Sequence, residues 1–284
     1  MPILPEYMPA LITPFTQGGE IDLKAHTHNV RELAGRGIEG FVIGGSNGEG
    51  PYLEPGEREA LVKAVRRRKT HLMVGIAAES TRVALSQVAE ATDGGADTLL
   101  VLTPTTLARG RDDAVVDFYR AVADHSPVPI LLYSVPPVTG YSVPIDLVSR
   151  LSRHENIIGM KDSSGDVVRL QSILDATPGD FILYSGATKA LTAAMAVGCH
   201  GAITGSGNYA PELVLETLRT AKRDPAAARK GQKRLSALST GIEAHGVPGV
   251  KAASKAAGLE PGYPRQPLTR LPRGVETSIT RLLP

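Results

Sequence analysis

The segment Ile157-Ile158-Gly159-Met160-Lys161-Asp162-Ser163 decides how the chain folds: a short apolar run, the pattern of a buried strand, leads straight into a lysine, an acid and a turn. The same succession recurs along the chain, each apolar run being followed by turn residues and then by a longer charged amphipathic stretch. Upstream lie Ala10-Leu11-Ile12, Phe41-Val42-Ile43, Leu72-Met73-Val74, Thr98-Leu99-Leu100-Val101-Leu102 and Ile130-Leu131-Leu132-Tyr133. Downstream lie Phe181-Ile182-Leu183-Tyr184 and Gly201-Ala202-Ile203. From the second run onward, successive strand ends fall 19 to 31 residues apart, room for one strand, one helix and two loops. Alternation alone fits a doubly wound open sheet equally well. The count of eight favours a (β/α)8 TIM barrel.

Helix signals fill the gaps. Glu54-Pro55-Gly56-Glu57 leads into a helix over Arg58 to Lys69, Ser80 leads into Thr81 to Asp93, and Pro144 and Pro211 suit first helical turns. After about residue 222 the strands stop, and helical stretches at roughly 225–243, 249–257 and 274–283 read as a C-terminal helical extension. The expected division is therefore a barrel over 1–222 and a helical appendix packed on it over 223–284.

Composition narrows the function. Lys plus Arg at 31 against Asp plus Glu at 29, spread along 284 residues, leave no basic face, so neither nucleic acid nor a membrane is an expected partner. The opening MPILPEYMPALITPF has no basic segment before an apolar run, and no apolar run approaches the roughly 18 residues of a bilayer span. A cytoplasmic protein is expected. The single cysteine, Cys199, excludes an internal disulfide and a multi-cysteine metal site, and reads as a small apolar core residue.

Chemistry in such a barrel gathers at the carboxyl ends of the strands. Lys161 emerges there from an apolar wall, where desolvation favours the neutral amine that attacks a carbonyl to form a Schiff base. A structural ion pair with Asp162 or Asp166 explains the same residue equally well. Tyr133 ends the preceding strand, so its phenol either shuttles a proton in the same mouth or simply packs. The loop from Gly44 to Gly50 offers backbone N–H groups and the Ser46 hydroxyl, a cradle for a small carboxylate or merely a tight turn.

Three further patterns are discounted. Gly205-Ser206-Gly207-Asn208-Tyr209-Ala210 matches a dinucleotide fingerprint but follows the last strand rather than the first. His26 and His28 lie two apart in the first predicted helix and diverge, so no metal is expected. Arg66-Arg67-Arg68-Lys69 reads as a solvated helix end.

Taken in order, Pro9-Ala10-Leu11-Ile12-Thr13-Pro14-Phe15, Gly45-Ser46-Asn47-Gly48-Glu49, Tyr133-Ser134-Val135-Pro136, Gly159-Met160-Lys161-Asp162-Ser163-Ser164-Gly165-Asp166 and Arg265-Gln266-Pro267-Leu268 carry a resemblance over nearly the whole chain. The sequence resembles the dihydrodipicolinate synthase and N-acetylneuraminate lyase family of Schiff-base aldolases. That resemblance implies a (β/α)8 barrel, a homotetramer or homodimer, no cofactor, and Lys161 forming an imine with pyruvate or another 2-oxo acid. It further implies Tyr133 as proton shuttle with Ser46, Gly45, Ser46 and Asn47 as the carboxylate site, and Ser163, Gly186 and Ile203 as pocket lining.

Within the family the motifs look most like 4-hydroxy-2-oxoglutarate aldolases. Two departures separate the chain from dihydrodipicolinate synthases. Val138 stands where those typically carry a carboxylate-gripping arginine, and Thr105 and Thr106 replace two tyrosines, the second of which usually completes a proton relay. Thr106 and Val138 are therefore expected to shape the pocket for the aldehyde half. Three readings stay open: a 4-hydroxy-2-oxoglutarate aldolase, a dihydrodipicolinate synthase or 2-keto-3-deoxy sugar acid aldolase, and an inactive 2-oxo acid binder.

Overall fold

Runs such as Thr98–Leu102 are apolar on both faces, the signature of strands covered on two sides, and the chain pairs them in parallel. The computed structural model describes residues 4–66 and 70–283. Its strands are β1 (Tyr7–Pro9), β2 (Gly40–Ile43), β3 (His71–Ile76), β4 (Thr98–Leu102), β5 (Ile130–Ser134), β6 (Ile157–Asp162), β7 (Ile182–Ser185) and β8 (Gly201–Thr204). The sheet order is β1-β8-β7-β6-β5-β4-β3-β2. A parallel bridge from Ala10 to Val42, with the Leu11 N–H donating to the Val42 carbonyl at 2.9 Å, joins the two ends and closes the barrel.

Outside the strands run α1 (Leu23–Gly35), α2 (Glu57–Val65), α3 (Thr81–Gly94), α4 (Asp112–His125), α5 (Pro136–Thr139), α6 (Ile145–Leu151), α7 (Val167–Ala176), α8 (Leu191–Ala196) and α9 (Pro211–Arg223). Then come α10 (Pro225–Ile242), α11 (Gly246–Ala256) and α12 (Arg273–Thr280). Side chains accepting from first-turn N–H groups start several of them: Asp22 for α1, Ser80 for α3, Asp166 for α7 and Asp224 for α10.

Three apolar cores result. One lies between strands and helices; a second fills the barrel with Met8, Val42, Met73, Leu100, Leu131 and Ile203 among others. The third joins Ile12 and Tyr209 to Leu238, Ile242, Val250, Ala253 and Ile279, seating the C-terminal helices on the barrel. No helix among the described residues is long and apolar enough to cross a membrane.

Several expectations need correction. The first strand is Tyr7–Pro9, not Ala10 to Ile12; the latter are buried and extended past the ladder, because β8 pairs with the residues before them. Helix α2 ends at Val65. Arg66 there adopts an extended conformation and donates to Asp97 at 2.6 Å, so it is no free solvated terminus; Arg67, Arg68 and Lys69 lie outside the described residues. Cys199 is buried in the core, and burial pushes its thiol up to about 12.

His26 faces the core and His28 bonds with Arg31, so the two do not converge. Desolvation outweighs the nearby Leu61 backbone and pushes His26 down to about 4. The unfolded chain therefore takes up this proton first as pH falls. Stability present above about pH 6.5 is lost progressively toward pH 4, by up to about 3 kcal/mol at 1.36 kcal/mol per unit. His26→Leu should flatten that slope in urea melts between pH 7 and 4.5; an unchanged slope would show that His26 does not titrate there.

Candidate active site

Strand alternation alone would not aim Lys161 correctly. Ile158 packs inside the barrel, so a regular strand would send Met160 inward and Lys161 out. A register shift opposite Ile130 and Leu131, which pair with Ile157 and Gly159, reverses the remainder of β6. Met160 consequently joins the outer core, and Lys161 turns inward opposite Tyr133 on one side and Tyr184 on the other. Gly159 makes room for this: a Cβ there would lie 2.3 Å from the Ile182 carbonyl oxygen.

Lys161 is 4% exposed, and its Nζ sits 4.3 Å from the Tyr133 ring centroid. The ion-pair reading fails because both acids are engaged elsewhere. Asp162, fully buried, pairs with Arg169 at 2.9 Å and accepts from the Ser164 N–H, while the Asp166 side chain accepts from the Arg169 N–H. Lys161 has no carboxylate partner among the described residues.

Tyr133 is likewise buried, and its hydroxyl lies 3.2 Å from Ser46 Oγ. Its carbonyl accepts from Thr103 Oγ1 at 2.9 Å, which pins the end of β5. Only about 10 Å³ of space remains in the wall lined by Gly44, Gly45, Ser46, Leu100 and Tyr133.

The loop after β2 turns tightly at Ser46 to Glu49, held by Thr13 Oγ1 donating to the Gly48 carbonyl at 2.6 Å. Among the described residues the N–H groups of Ser46 and Asn47 donate to no protein acceptor, which leaves them free for an anion. Asn47 lies against Gly205, where a Cβ would come 3.1 Å from its amide nitrogen. Gly186 is shaped by space: a Cβ there would meet Ser163 Oγ at 1.9 Å and Lys161 Cε at 2.9 Å. Lys161, Tyr133, Ser46, Gly45, Asn47, Ser163 and Gly186 thus lie at the carboxyl ends of β2, β5, β6 and β7 or in the loops after them, and Ile203 packs in the barrel interior with Tyr133.

Thr106 and Val138 do not join this group. Both are exposed at the rim, Val138 at 75%. Glu79, which sequence reading did not single out, accepts the N–H groups of Thr105 and Thr106 at 3.1 and 2.8 Å. No threonine hydroxyl extends the Ser46–Tyr133 pair among the described residues. The segment Gly205–Asn208 is a short 3-10 turn braced by the Asn208 side chain, which bonds Ile12, Ala10 and Gly205, so its glycines serve packing. A larger groove of about 570 Å³ lies between α11 and α12, lined by Lys255, Tyr263, Arg270 and Arg273 among others.

Comparison with known proteins bears on the family and the fold. The family model described as the dihydrodipicolinate synthetase family matches residues 4–283. The chain is 34% identical to 4-hydroxy-tetrahydrodipicolinate synthase 1 of Streptomyces coelicolor over 266 residues, 91% of this chain and 86% of the relative. It is 31% identical to 4-hydroxy-tetrahydrodipicolinate synthase of Methanosarcina mazei, covering 92% and 91%. Among solved structures, YagE, a prophage protein of the dihydrodipicolinic acid synthase family from E. coli K12 in complex with pyruvate, superposes with a TM-score of 0.91 at 26% identity, covering 97% and 96%. The chloride-inhibited dihydrodipicolinate synthase of Acinetobacter baumannii complexed with pyruvate gives 0.91 at 28%, covering 98% and 97%. The chain belongs to the dihydrodipicolinate synthetase family and is a lyase of its Schiff-base-forming class.

Proposed function

We propose that this protein is a pyruvate-dependent class I aldolase whose nucleophile is Lys161. The observation that carries the reading is the isolation of that amine, buried beside Tyr133 with its two neighbouring acids engaged elsewhere. The amine attacks the C2 carbonyl; loss of water gives an iminium that draws electrons from the C3–C4 bond. Tyr133, paired with Ser46, moves the proton at the developing oxygen or carbon. The free N–H groups of Ser46 and Asn47 hold the carboxylate. The names of the two relatives bound to pyruvate support that acid as the donor.

For the aldehyde half we favour glyoxylate, the partner in 4-hydroxy-2-oxoglutarate cleavage, over the lysine-pathway semialdehyde. The ground is the departure from dihydrodipicolinate synthases: Val138 stands where those carry the arginine that grips the semialdehyde's carboxylate, and Thr105 and Thr106 stand in place of two tyrosines. The second reading, a dihydrodipicolinate synthase, is favoured by the names of the curated relatives. Residues 1–222 would then carry the chemistry and 223–284 support it, in a cytoplasmic homo-oligomer.

Borohydride reduction with pyruvate followed by peptide mass mapping tests the core of this reading; the expected adduct is on Lys161. Its absence would sink the aldolase. A panel of glyoxylate, the semialdehyde and sugar-derived aldehydes then separates the substrates, and an adduct without any turnover would identify a 2-oxo acid binder.

A further inference from the structure

We infer that Lys251 and Arg265, both from the C-terminal helical region, are positioning residues for the pyruvate carboxylate: they hold Glu49, and through it the shape of the Ser46–Glu49 turn. The inference rests on the pyruvate reading above and extends it to a part of the chain remote from Lys161.

Glu49 is the only non-glycine residue with positive φ among the described residues, at 55°. A carboxylate residue adopts that conformation only where its surroundings impose it. Here the surroundings are charged and dry. Lys251 Nζ lies 2.6 Å from Glu49 Oε1, with the two side chains 4% and 0% exposed. The Arg265 backbone N–H donates to Glu49 Oε2 at 2.8 Å, and Lys251 also donates to the Tyr263 carbonyl at 2.6 Å.

The Arg265 side chain extends the hold beyond the turn. It forks onto Glu57, both contacts at 2.6 Å, donates to the Tyr52 carbonyl at 2.6 Å, and lies 4.1 Å from the Phe15 ring centroid. The turn is therefore gripped at Glu49 and just after it, by α11 and the segment that follows. Glu49 lies three positions after Ser46, and its N–H donates back to the Ser46 carbonyl at 3.2 Å. Releasing Glu49 lets the turn relax and turns the Ser46 and Asn47 N–H groups away from a common target. A small displacement of preorganised donors costs binding steeply.

A purely stabilising ion pair predicts something different: a lower melting temperature with unchanged affinity in whatever remains folded. The deciding experiment titrates borohydride-trapped adduct against pyruvate, and in parallel against the uncharged ketone hydroxyacetone, in wild type, Lys251→Met, Glu49→Gln and Arg265→Lys. We expect Lys251→Met to raise the half-saturating pyruvate concentration about tenfold and to leave that for hydroxyacetone nearly unmoved, with the adduct still on Lys161. Glu49→Gln and Arg265→Lys should shift pyruvate in the same direction by less, and they carry the test if Lys251→Met does not fold. Equal losses for both ketones, or folded variants with wild-type pyruvate affinity, would overturn the inference. Wild type that traps no pyruvate would remove the reading on which it stands.

Discussion

Gly186→Ala is expected to slow imine formation with pyruvate by about 100-fold or more while leaving the barrel folded. The added Cβ would fall 1.9 Å from Ser163 Oγ and 2.9 Å from Lys161 Cε, so either the loop after β6 or the lysine stem has to move. A displacement on the order of 1 Å in a reacting group costs roughly two orders of magnitude. Gly186 has no positive φ, so the variant suffers crowding and no backbone strain. The rate of borohydride trapping, with circular dichroism as a check on folding, measures the effect. Adding Ser163→Gly should restore part of the rate, because it removes the nearer obstruction. A wild-type rate in the single variant would mean that Lys161 does not react from the position described.

Arg169→Leu is expected to destabilise the protein by roughly 3–5 kcal/mol and to weaken pyruvate trapping as well. Its guanidinium is the only cation paired with Asp162 among the described residues, and it also donates to the Val143 carbonyl at 2.7 Å. Removing one partner of a buried pair leaves a bare charge, which is the costly case. The orphaned carboxylate belongs to the residue next to Lys161, so its displacement would disturb the end of β6 from which the amine projects. Two readouts check this: the urea midpoint should fall, and so should the rate of trapping at saturating pyruvate in the folded variant. If the folded variant keeps the wild-type trapping rate, Arg169 serves stability alone. Asp162→Asn in the same background should recover stability by removing the bare charge.

Much of this was legible in the sequence, and the reasons are physical. Spacing points to the barrel because a βα unit has a nearly fixed length, and Lys161, Tyr133 and Ser46 stand out as candidates at strand ends, their roles coming from the family resemblance. Patterning failed where partners are remote in sequence. Ala10 to Ile12 look like a strand because they are buried, yet burial does not say which residues β8 will pair with. Arg58 opened what reads as a charged helix, but its side chain is 1% exposed, donating to the Gly75 carbonyl at 2.9 Å and facing Glu90 at 3.4 Å. Nothing local separates it from its solvated neighbours. Glu79 and Lys251 were missed for the same cause, since each acts across a gap that only the folded chain closes. Strict alternation would point Lys161 outward; the register shift in β6, which no local pattern announces, turns it inward.

The closure of the barrel also sets a timetable for synthesis. β1 pairs with β8 through Tyr7 and Ala202, Met8 and Ile203, and Pro9 and Thr204. An emerging chain therefore carries its first strand as an unclaimed edge until roughly its first two hundred residues have left the ribosome. The grip on Glu49 waits longer still, for Lys251 and Arg265. The loop that is built among the first is finished among the last, so a nascent chain has its walls before it has a working mouth.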